Sequence, residues 1–265
     1  MDLGLRGRAC LVTGASRGIG RATAEALGAE GARVVLHGRD EVALEEAAKE
    51  VCTAGGEAVV VAADLADPDG AGHVLEVARE AFGPPEVLVN NAGTSAVRAL
   101  DDLTEDEWRA QWELSVMAPM RLMRGACPAM AERGWGRVVN VCSSSGKRPS
   151  ASNAAYSVAK AGQLSLSRAF ADHYAGRGVC VNAVAPGVVA SPLWTEPGGL
   201  ADQQAAARGI GAEEALAAAA AKVPRGAMGT PEEIAAVIAF LCSEQAATVV
   251  GAAWSVDGGT IQSIV

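Results

Sequence analysis

The chain has 265 residues, half of them hydrophobic, and carries a formal charge of −9 at pH 7. This length suits one α/β domain, and the acidic balance argues against a surface for nucleic acid or for an anionic membrane. The amino-terminal segment lacks the apolar run of a signal peptide, and no stretch is apolar for long enough to span a bilayer. The sequence therefore predicts a cytoplasmic protein.

Short β-branched runs alternate with longer helical patterns along the chain. The runs are Ala9–Thr13, Arg33–His37, Ala58–Ala62, Val87–Asn90, Arg137–Val141 and Val179–Val184. They are nearly continuous apolar stretches, as expected for strands covered on both faces. Alternation of strands and helices predicts parallel strands joined by right-handed crossovers. We expect a doubly wound parallel β-sheet of about seven strands with helices on both faces, formed as a single domain by residues 1–265.

The first strand leads into a glycine-rich turn, with the sequence TGASRGIG at residues 13–20. Gly14, Gly18 and Gly20 permit a tight turn and a close approach of the backbone to a ligand. The following helix offers free amides and the positive end of its dipole to a pyrophosphate. An ordinary structural turn is the alternative, but the position between a buried strand and a helix favours a Rossmann-type dinucleotide site.

The end of the second strand bears on the choice of cofactor. A carboxylate there binds the adenosine ribose hydroxyls and repels a 2′-phosphate. This chain has Arg39 followed by Asp40, and Arg39 together with Arg17 of the glycine loop forms a guanidinium clamp suited to that phosphate. The sequence therefore favours NADP(H). In the alternative, both arginines are solvated surface residues, Asp40 is the ribose ligand, and the cofactor is NAD(H).

A tyrosine and a lysine lie four residues apart on one predicted helix, as Tyr156 and Lys160. This spacing puts the phenol and the ammonium on one helical face. A tyrosine normally loses its proton near pH 10. A neighbouring ammonium and an oxidised nicotinamide favour the phenolate, so we expect the pKa of Tyr156 to be lowered toward neutrality. In the reducing direction the phenol donates its proton to a carbonyl oxygen. Alone, the pair is also a common surface arrangement.

These motifs occur together with others in a recognisable order. The others are Asp64-Leu65, Asn90-Asn91-Ala92-Gly93, Val141-Cys142-Ser143-Ser144-Ser145-Gly146, Asn182, Pro186-Gly187 and Val256-Asp257-Gly258-Gly259. The sequence closely resembles the short-chain dehydrogenase/reductase family over essentially its whole length. Among its members it is most similar to the 3-oxoacyl-carrier-protein-reductase-like ones. The resemblance implies an oxidoreductase that interconverts a carbonyl and a secondary alcohol.

The resemblance also assigns roles to residues. The family's catalytic serine lies thirteen positions before the tyrosine, which selects Ser143 among three adjacent serines. Lys160 is implied to contact the nicotinamide ribose, Asp64 and Leu65 to flank adenine, and Val189 and Ser191 to hold the carboxamide. With the residues argued above, the predicted cofactor contacts are Gly14, Ser16, Arg17, Gly18, Ile19, Gly20, Arg39, Asp64, Leu65, Asn91, Ala92, Gly93, Tyr156, Lys160, Pro186, Gly187, Val189 and Ser191.

One position departs from the family pattern. The family's fourth catalytic residue is an asparagine seven residues beyond a tryptophan, and it helps to hold a water that relays protons to the lysine. Counting from Trp108 places Ser115 there. A serine hydroxyl is shorter than an asparagine amide and keeps that water only with local rearrangement. We therefore include Ser115 among the catalytic positions while expecting the proton relay to differ.

The cysteines and histidines indicate no further site. The six cysteines form no CxxC pair and are expected to be reduced and mostly buried. Cys142 is interpreted as a packing residue. The three histidines share no metal-ligand spacing, so no metal is expected.

A long segment between the sixth strand and the next helix, residues 188–224, contains the sequence WTEPGG and the alanine-rich run Leu216–Ala221. Alanine is a good helix former, which is a sufficient structural explanation for that run. Because the segment leaves the carboxyl edge of the sheet, where ligands bind, we interpret it as a lid over the substrate.

The substrate remains open among several classes at this stage. A 3-oxoacyl thioester follows from the closest resemblance, and Arg133 and Arg177 are candidates for docking an acidic carrier protein beside the entrance. The alternative is that these arginines are ordinary helix-terminal residues. A lid with Leu193, Trp194 and Leu200 equally suits a sugar, a steroid or another secondary alcohol. A non-catalytic protein that senses the cofactor is the alternative of another class.

Family members are commonly homotetramers or homodimers. The apolar stretches Ile234–Leu241 and Thr248–Val256 are candidates for one interface, with ordinary core packing as the alternative.

Overall fold

A computed structural model describes residues 2–262 of the chain. Seven strands form one parallel sheet, in the order β3-β2-β1-β4-β5-β6-β7. The strands are β1 Ala9–Thr13, β2 Arg33–Gly38, β3 Glu57–Ala62, β4 Val87–Asn90, β5 Gly136–Val141, β6 Val179–Pro186 and β7 Ala253–Val256. This confirms the doubly wound parallel architecture. The six predicted strands are all present, four of them longer by one or two residues.

Helices cover both faces of the sheet. They are α1 Gly18–Ala29, α2 Glu41–Ala54, α3 Gly70–Phe82, α4 Glu105–Trp112, α5 Ala118–Arg133, α6 Ser144–Lys147, α7 Ala154–Tyr174, α8 Pro192–Thr195, α9 Leu200–Arg208, α10 Ala212–Ala221 and α11 Pro231–Cys242. A π-helical turn, Glu113–Met117, joins α4 to α5. Short 3-10 helices occupy Leu100–Asp102 and Ala175–Arg177.

The central strands are buried because they contribute apolar side chains to two separate cores. In β2, Val34 and Leu36 pack on one face, together with α1, α2 and α11. Val35 points to the other face, where α3, α5 and α7 provide the covering side chains. Successive side chains of a strand point to opposite faces of a sheet, so a continuous apolar run is what a strand covered on both sides requires.

The chain reverses its direction of winding between β1 and β4, which are neighbours in the sheet. From β1 the strands proceed outward through β2 to β3, and then from β4 outward to β7. The carboxyl ends of β1 and β4 therefore flank the crevice at which open α/β sheets bind their ligands. The glycine turn that follows β1 opens into this crevice.

The last strand, β7, is an edge strand with exposed side chains at Ala253, Trp254 and Ser255. Asn182 of β6 fixes the approach of this segment, since its amide donates to Val249 O at 2.7 Å and accepts from the backbone N–H of Ala252 at 3.0 Å. Across residues 2–262, no helix combines the length and the apolarity needed to cross a membrane.

Candidate active site

The glycine turn after β1 has a backbone that other residues would not fit. Gly14 and Gly18 have φ values of +64° and +57°, in the left-handed region that favours glycine. A Cβ atom on Gly20 would lie 2.2 Å from the carbonyl oxygen of Gly14. The helix α1 starts at Gly18, so its free amides face the turn. This is the geometry with which helix N-termini bind pyrophosphate.

Asn91, at the end of β4, holds the glycine turn in place. Its Nδ2 donates to the carbonyl oxygens of Thr13 and Gly14 at 2.9 and 3.0 Å. The Thr13 hydroxyl in turn accepts from the backbone N–H of Asn91 and of Ala92, both at 3.0 Å. The structure thus brings together the motifs that follow the first and fourth strands. The Asn91 side chain itself is committed to the turn.

The segment after β6 closes the same crevice from the other side. A Cβ atom on Gly18 would lie 3.5 Å from Cβ of Ser191, so the two predicted contact positions are adjacent. A Cβ atom on Gly187 would lie 2.8 Å from Cα of Asp257, which explains a glycine there. Val189 is buried and forms a parallel bridge with Gly229.

At the adenosine end, Arg39 is exposed directly after β2. The neighbouring Asp40 is the N-cap of α2, and its carboxylate accepts from the backbone N–H of Ala43 at 3.1 Å. Ser16 lies near the end of β2, with its Oγ 3.5 Å from where a Cβ of Gly38 would be. Asp64 is exposed while Leu65 is buried. Asp40 therefore has a structural task that Arg39 does not.

Arg17 of the glycine turn forms an ion pair with Glu196, in the segment after β6. Both side chains are about half exposed. Exposed ion pairs contribute little to stability, roughly 0–1 kcal/mol. The pair nevertheless ties residues 188–224 to the nucleotide turn at one point.

The predicted catalytic side chains come together at the carboxyl ends of β4 and β5. Ser143 follows β5 and caps the short α6, with its Oγ accepting from the backbone N–H of Ser145 at 3.1 Å. Tyr156 and Lys160 lie on α7, and Lys160 Nζ is 5.7 Å from the centroid of the Tyr156 ring. A Cβ atom on Gly93 would lie 3.6 Å from Lys160 Nζ. The lysine thus stands beside the end of β4.

Burial shifts the pKa values of Tyr156 and Lys160 in opposite directions. Burial raises the pKa of Tyr156 to about 12, although interaction with the Ser143 hydroxyl lowers it. Burial likewise lowers the pKa of Lys160 to about 8. Without a cofactor, removal of the phenolate from water is the largest influence on this pKa. The expected lowering toward neutrality includes a bound oxidised nicotinamide and stays a prediction. At neutral pH the site holds a neutral phenol, which is a proton donor.

Ser115 lies in the π-helical turn between α4 and α5 and is fully buried. Within the described residues its Oγ has no hydrogen-bond partner. Lys160 Nζ instead donates to the Val141 carbonyl oxygen and to Gln163 Oε1, both at 2.9 Å. Sequence reasoning missed Gln163. Its signal was a glutamine three residues after the lysine, on the buried face of α7.

The proposed docking pair for a carrier protein is misplaced. Arg133 ends α5 just before β5 begins, and Arg177 precedes β6 in the same way. Both therefore lie at the amino edge of the sheet, opposite the crevice, because parallel strands all begin at one edge. The Arg177 guanidinium lies over the Tyr174 ring, 5.3 Å from its centroid. The expectation that these arginines flank the entrance was wrong.

Neither Cys142 nor a metal cluster adds a second chemistry within residues 2–262. The cysteines are all free, and burial raises the pKa of the Cys142 thiol to about 12, so it is a poor nucleophile. Over residues 2–262 there is no group of three or more His, Cys, Asp or Glu side chains arranged to hold a metal ion.

A doubly wound sheet with a pyrophosphate-binding turn at its crevice and a Ser–Tyr–Lys group beside it defines a nicotinamide-dependent oxidoreductase. Comparison with known proteins agrees. The family model for short chain dehydrogenase matches residues 8–198, and the chain belongs to this family of NAD(P)-dependent enzymes, which act on secondary alcohols and ketones.

Curated relatives match along almost the whole chain. D-beta-hydroxybutyrate dehydrogenase of Cupriavidus necator is 35% identical over 97% of this chain and 99% of its own length. The 3-oxoacyl-(acyl-carrier-protein) reductase FabG of Salmonella typhimurium is 36% identical over 97% and 98%. Among solved structures, L-sorbose reductase of Gluconobacter frateurii, complexed with NADPH and L-sorbose, is 35% identical, covers 100% of both chains and has a TM-score of 0.93.

Proposed function

We propose that this protein is an NADP(H)-dependent reductase of small ketones, in which Tyr156 is the general acid, Ser143 orients the carbonyl oxygen and Lys160 supports the phenol and the nicotinamide ribose. The observation that carries the proposal is the convergence of these three side chains at the crevice. Lys160 Nζ lies beside Gly93 and 5.7 Å from the tyrosine ring. A bound reduced cofactor supplies the hydride.

Side chains of the protein transfer the proton to the substrate oxygen. The Ser143 hydroxyl donates a hydrogen bond to the substrate oxygen and fixes it within reach of the Tyr156 hydroxyl. As negative charge develops on that oxygen, Tyr156 Oη transfers its proton to it. The neighbouring Lys160 ammonium stabilises the phenolate that remains. In oxidation the same phenolate accepts the proton of the alcohol. Ser115 is retained as a position of this site, since its buried hydroxyl lies on the turn that packs against α7.

The preference for NADP(H) rests on charge at the end of β2. The Asp40 carboxylate is occupied by the cap of α2, whereas the Arg39 guanidinium is exposed and free to meet a 2′-phosphate. Arg17 is the second member of the clamp once its bond to Glu196 opens. The NADPH complex of the sorbose reductase is consistent with this assignment. NAD(H) is the alternative.

We assign residues 188–224 to a substrate lid, which α8, α9 and α10 build at the carboxyl edge. Arg133 and Arg177 lie at the edge of the sheet opposite the crevice, so they no longer support docking of a carrier protein beside the entrance. A 3-oxoacyl thioester is then supported by similarity alone, and a sugar-like ketone has comparable support. Both substrate classes contain a ketone group, which is the group that the proposed reaction reduces.

We further propose a cytoplasmic homodimer or homotetramer. Free, mostly buried cysteines suit a reducing compartment. In α11, Ile234, Ile238 and Leu241 are buried in the monomer core, so ordinary packing accounts for them. The exposed edge strand β7 with Trp254 is the better interface candidate.

The test is consumption of NADPH and of NADH with a panel of substrates: free ketoses, a short 3-oxo acid, a 3-oxoacyl thioester and a hydrophobic cyclic ketone. We expect turnover with NADPH and at least one of the non-thioester ketones. Turnover with the thioester alone would reinstate the carrier-linked class. Tight NADPH binding without turnover of any compound would instead support a cofactor-sensing protein.

The rate of reduction should depend on pH through Lys160. Below about pH 8 the lysine is an ammonium and Tyr156, whose pKa is about 12, is a neutral acid. As pH rises through the lysine pKa, the cation is lost while the phenol stays protonated. We expect kcat/KM for reduction to be constant near neutral pH. Above the lysine pKa of about 8 it should fall by about tenfold per pH unit, which gives the profile an alkaline limb.

Lys160→Arg is the matched control, since arginine keeps its charge over this range. Its residual activity should lack the alkaline limb. An unchanged limb in this variant would assign the titration to another group.

A further inference from the structure

The Lys160 ammonium is held by two acceptors of the protein itself. Its Nζ donates to Val141 O, at the end of β5, and to Gln163 Oε1, one turn further along α7, each at 2.9 Å. An ammonium has three donors, so one N–H remains for a ligand on the side of Gly93. The two bonds fix the Nζ atom between the strand and the crevice.

Burial of the Gln163 side-chain amide costs free energy. It is fully buried, and within the described part of the chain its Nε2 has no hydrogen-bond partner. An unpaired buried donor costs about 1–3 kcal/mol. A hydrophobic side chain would avoid this cost in a helix that faces the core. What the glutamine offers and a hydrophobic residue would not is the hydrogen bond that its Oε1 accepts from Lys160.

The polar network beneath α7 does not require the Gln163 side chain. Asn140 donates to the Ser167 hydroxyl at 2.8 Å, and that hydroxyl donates to the backbone carbonyl of Gln163 at 2.7 Å. Any residue at position 163 offers that carbonyl. The side-chain amide therefore has Lys160 as its bonded partner, and a purely structural role does not account for it.

The π-helical turn that carries Ser115 packs against α7 beside Gln163. Trp112 and Val116, on either side of Ser115, lie 3.0 and 3.3 Å from where a Cβ atom of Gly162 would be, so the π-helical turn packs directly against α7 next to Gln163. The Ser115 hydroxyl is buried without a partner in the described chain. The π-helical turn therefore offers only a serine hydroxyl at position 115, where the family pattern has an asparagine amide.

We propose that Gln163 is a positioning residue, which holds the Lys160 ammonium in its working place through Oε1 and so supplies from α7 the amide that Ser115 does not supply from the π-helical turn. The proposal rests on the role of Lys160 in the proposed function. It places one determinant of the site on a residue that contacts neither substrate nor cofactor.

The electrostatics follow from the groups that face Lys160. These are Tyr156 on its own helix and Cys142 at the end of β5, and the cysteine is a neutral thiol at working pH because its pKa is about 12. Burial lowers the pKa of Lys160. An acceptor bonded to the ammonium opposes that shift, so removal of Oε1 lowers the lysine pKa further.

Gln163→Met tests this with a side chain of similar length that lacks the amide. The sequence has four lysines, Lys49, Lys147, Lys160 and Lys222, so NMR titration of protein labelled with ¹³C at the lysine side chains gives few signals. The signal absent from Lys160→Met identifies Lys160. We expect Gln163→Met to lower its pKa by about one unit and, at pH 8, to lower kcat for reduction about fivefold, with KM changed less than about twofold.

Gln163→Glu is the opposite variant, because its carboxylate still accepts and adds a negative charge. It should raise the Lys160 pKa and move the alkaline limb of the rate profile to higher pH. It also serves if Gln163→Met fails to fold. Ser167→Ala is the matched control, since it removes a buried side-chain bond of α7, from Asn140 to the Ser167 hydroxyl, in which Lys160 takes no part. It should reduce thermal stability and leave the lysine titration unchanged.

An unchanged Lys160 titration in both Gln163 variants would overturn the proposal. So would a shift of equal size in Ser167→Ala, because general loosening of α7 would then be the cause. The titration needs no turnover. Absence of activity in the parent protein would therefore count against the proposed function, while the NMR result still decides the role of Gln163.

Discussion

Replacement of Tyr156 by phenylalanine is expected to lower kcat for ketone reduction by about a thousandfold, within the range that a positioned general acid contributes. In the proposed mechanism the phenol, which lies beside Ser143 and the lysine, donates the proton to the substrate oxygen. Phenylalanine fills the same volume and removes the proton. The affinity for NADPH, measured by fluorescence titration, should change by less than about threefold.

Tyr174→Phe provides the control because the chain has two tyrosines. Tyr174 lies at the end of α7, stacked on Phe170 at 6.1 Å between ring centroids. It should keep parental turnover. Substantial reduction by the Tyr156→Phe protein, at more than about a tenth of the parental rate, would mean that a water or another group protonates the product and that the assigned acid is wrong.

The sheet was largely predictable because its strands satisfy one strong physical demand. A parallel strand covered on both faces needs a continuous apolar run, and β1, β2, β4, β5 and β6 are such runs and are buried throughout or nearly so. The exception is β7. Its side chains are mostly exposed, and it is held by pairing with β6 and by the bonds of Asn182 to the segment just before it. A strand held by contacts distant in sequence leaves little signal in its own residues.

The site was predictable to the extent that it depends on local backbone demands and spacing. The glycines of the turn need φ values or close approaches that other residues disfavour, and Tyr156 and Lys160 share a helical face by periodicity. The partner of the lysine was not predictable in this way. Gln163 acts through the burial of α7, and burial of one particular helical face emerges only when the π-helical turn and β5 pack against it.

The tyrosine pKa and the two arginines illustrate a related limit. Desolvation depends on the surroundings of a group in three dimensions, so a neighbouring cation in the sequence is a poor guide to the net shift. Arg133 and Arg177 were candidates only because an acidic carrier protein would need basic residues beside the entrance. The strand direction decides which edge they occupy, and it puts them at the opposite one.

Arg39→Asp is expected to reverse the cofactor preference. The introduced carboxylate would bind the ribose hydroxyls of NADH and repel the 2′-phosphate of NADPH. A charge-assisted hydrogen bond contributes about 1.5–3 kcal/mol, so loss of one attraction and gain of one repulsion should change the ratio of kcat/KM for NADPH over NADH by about a thousandfold. Steady-state kinetics with both cofactors and one ketone measure that ratio.

Asp40→Asn distinguishes the two explanations of this loop, because asparagine keeps the capping oxygen of α2 and removes the charge. If Asp40 were the ribose ligand, this variant would lose activity with NADH and the parent would prefer NADH. With Arg39 as the phosphate ligand, the parent prefers NADPH and Asp40→Asn leaves its use of NADPH unchanged or improves it, because a negative charge beside the phosphate is removed. The loop thus assigns two adjacent side chains to different tasks, a helix cap and a phosphate contact, and the pair of variants tests each task separately.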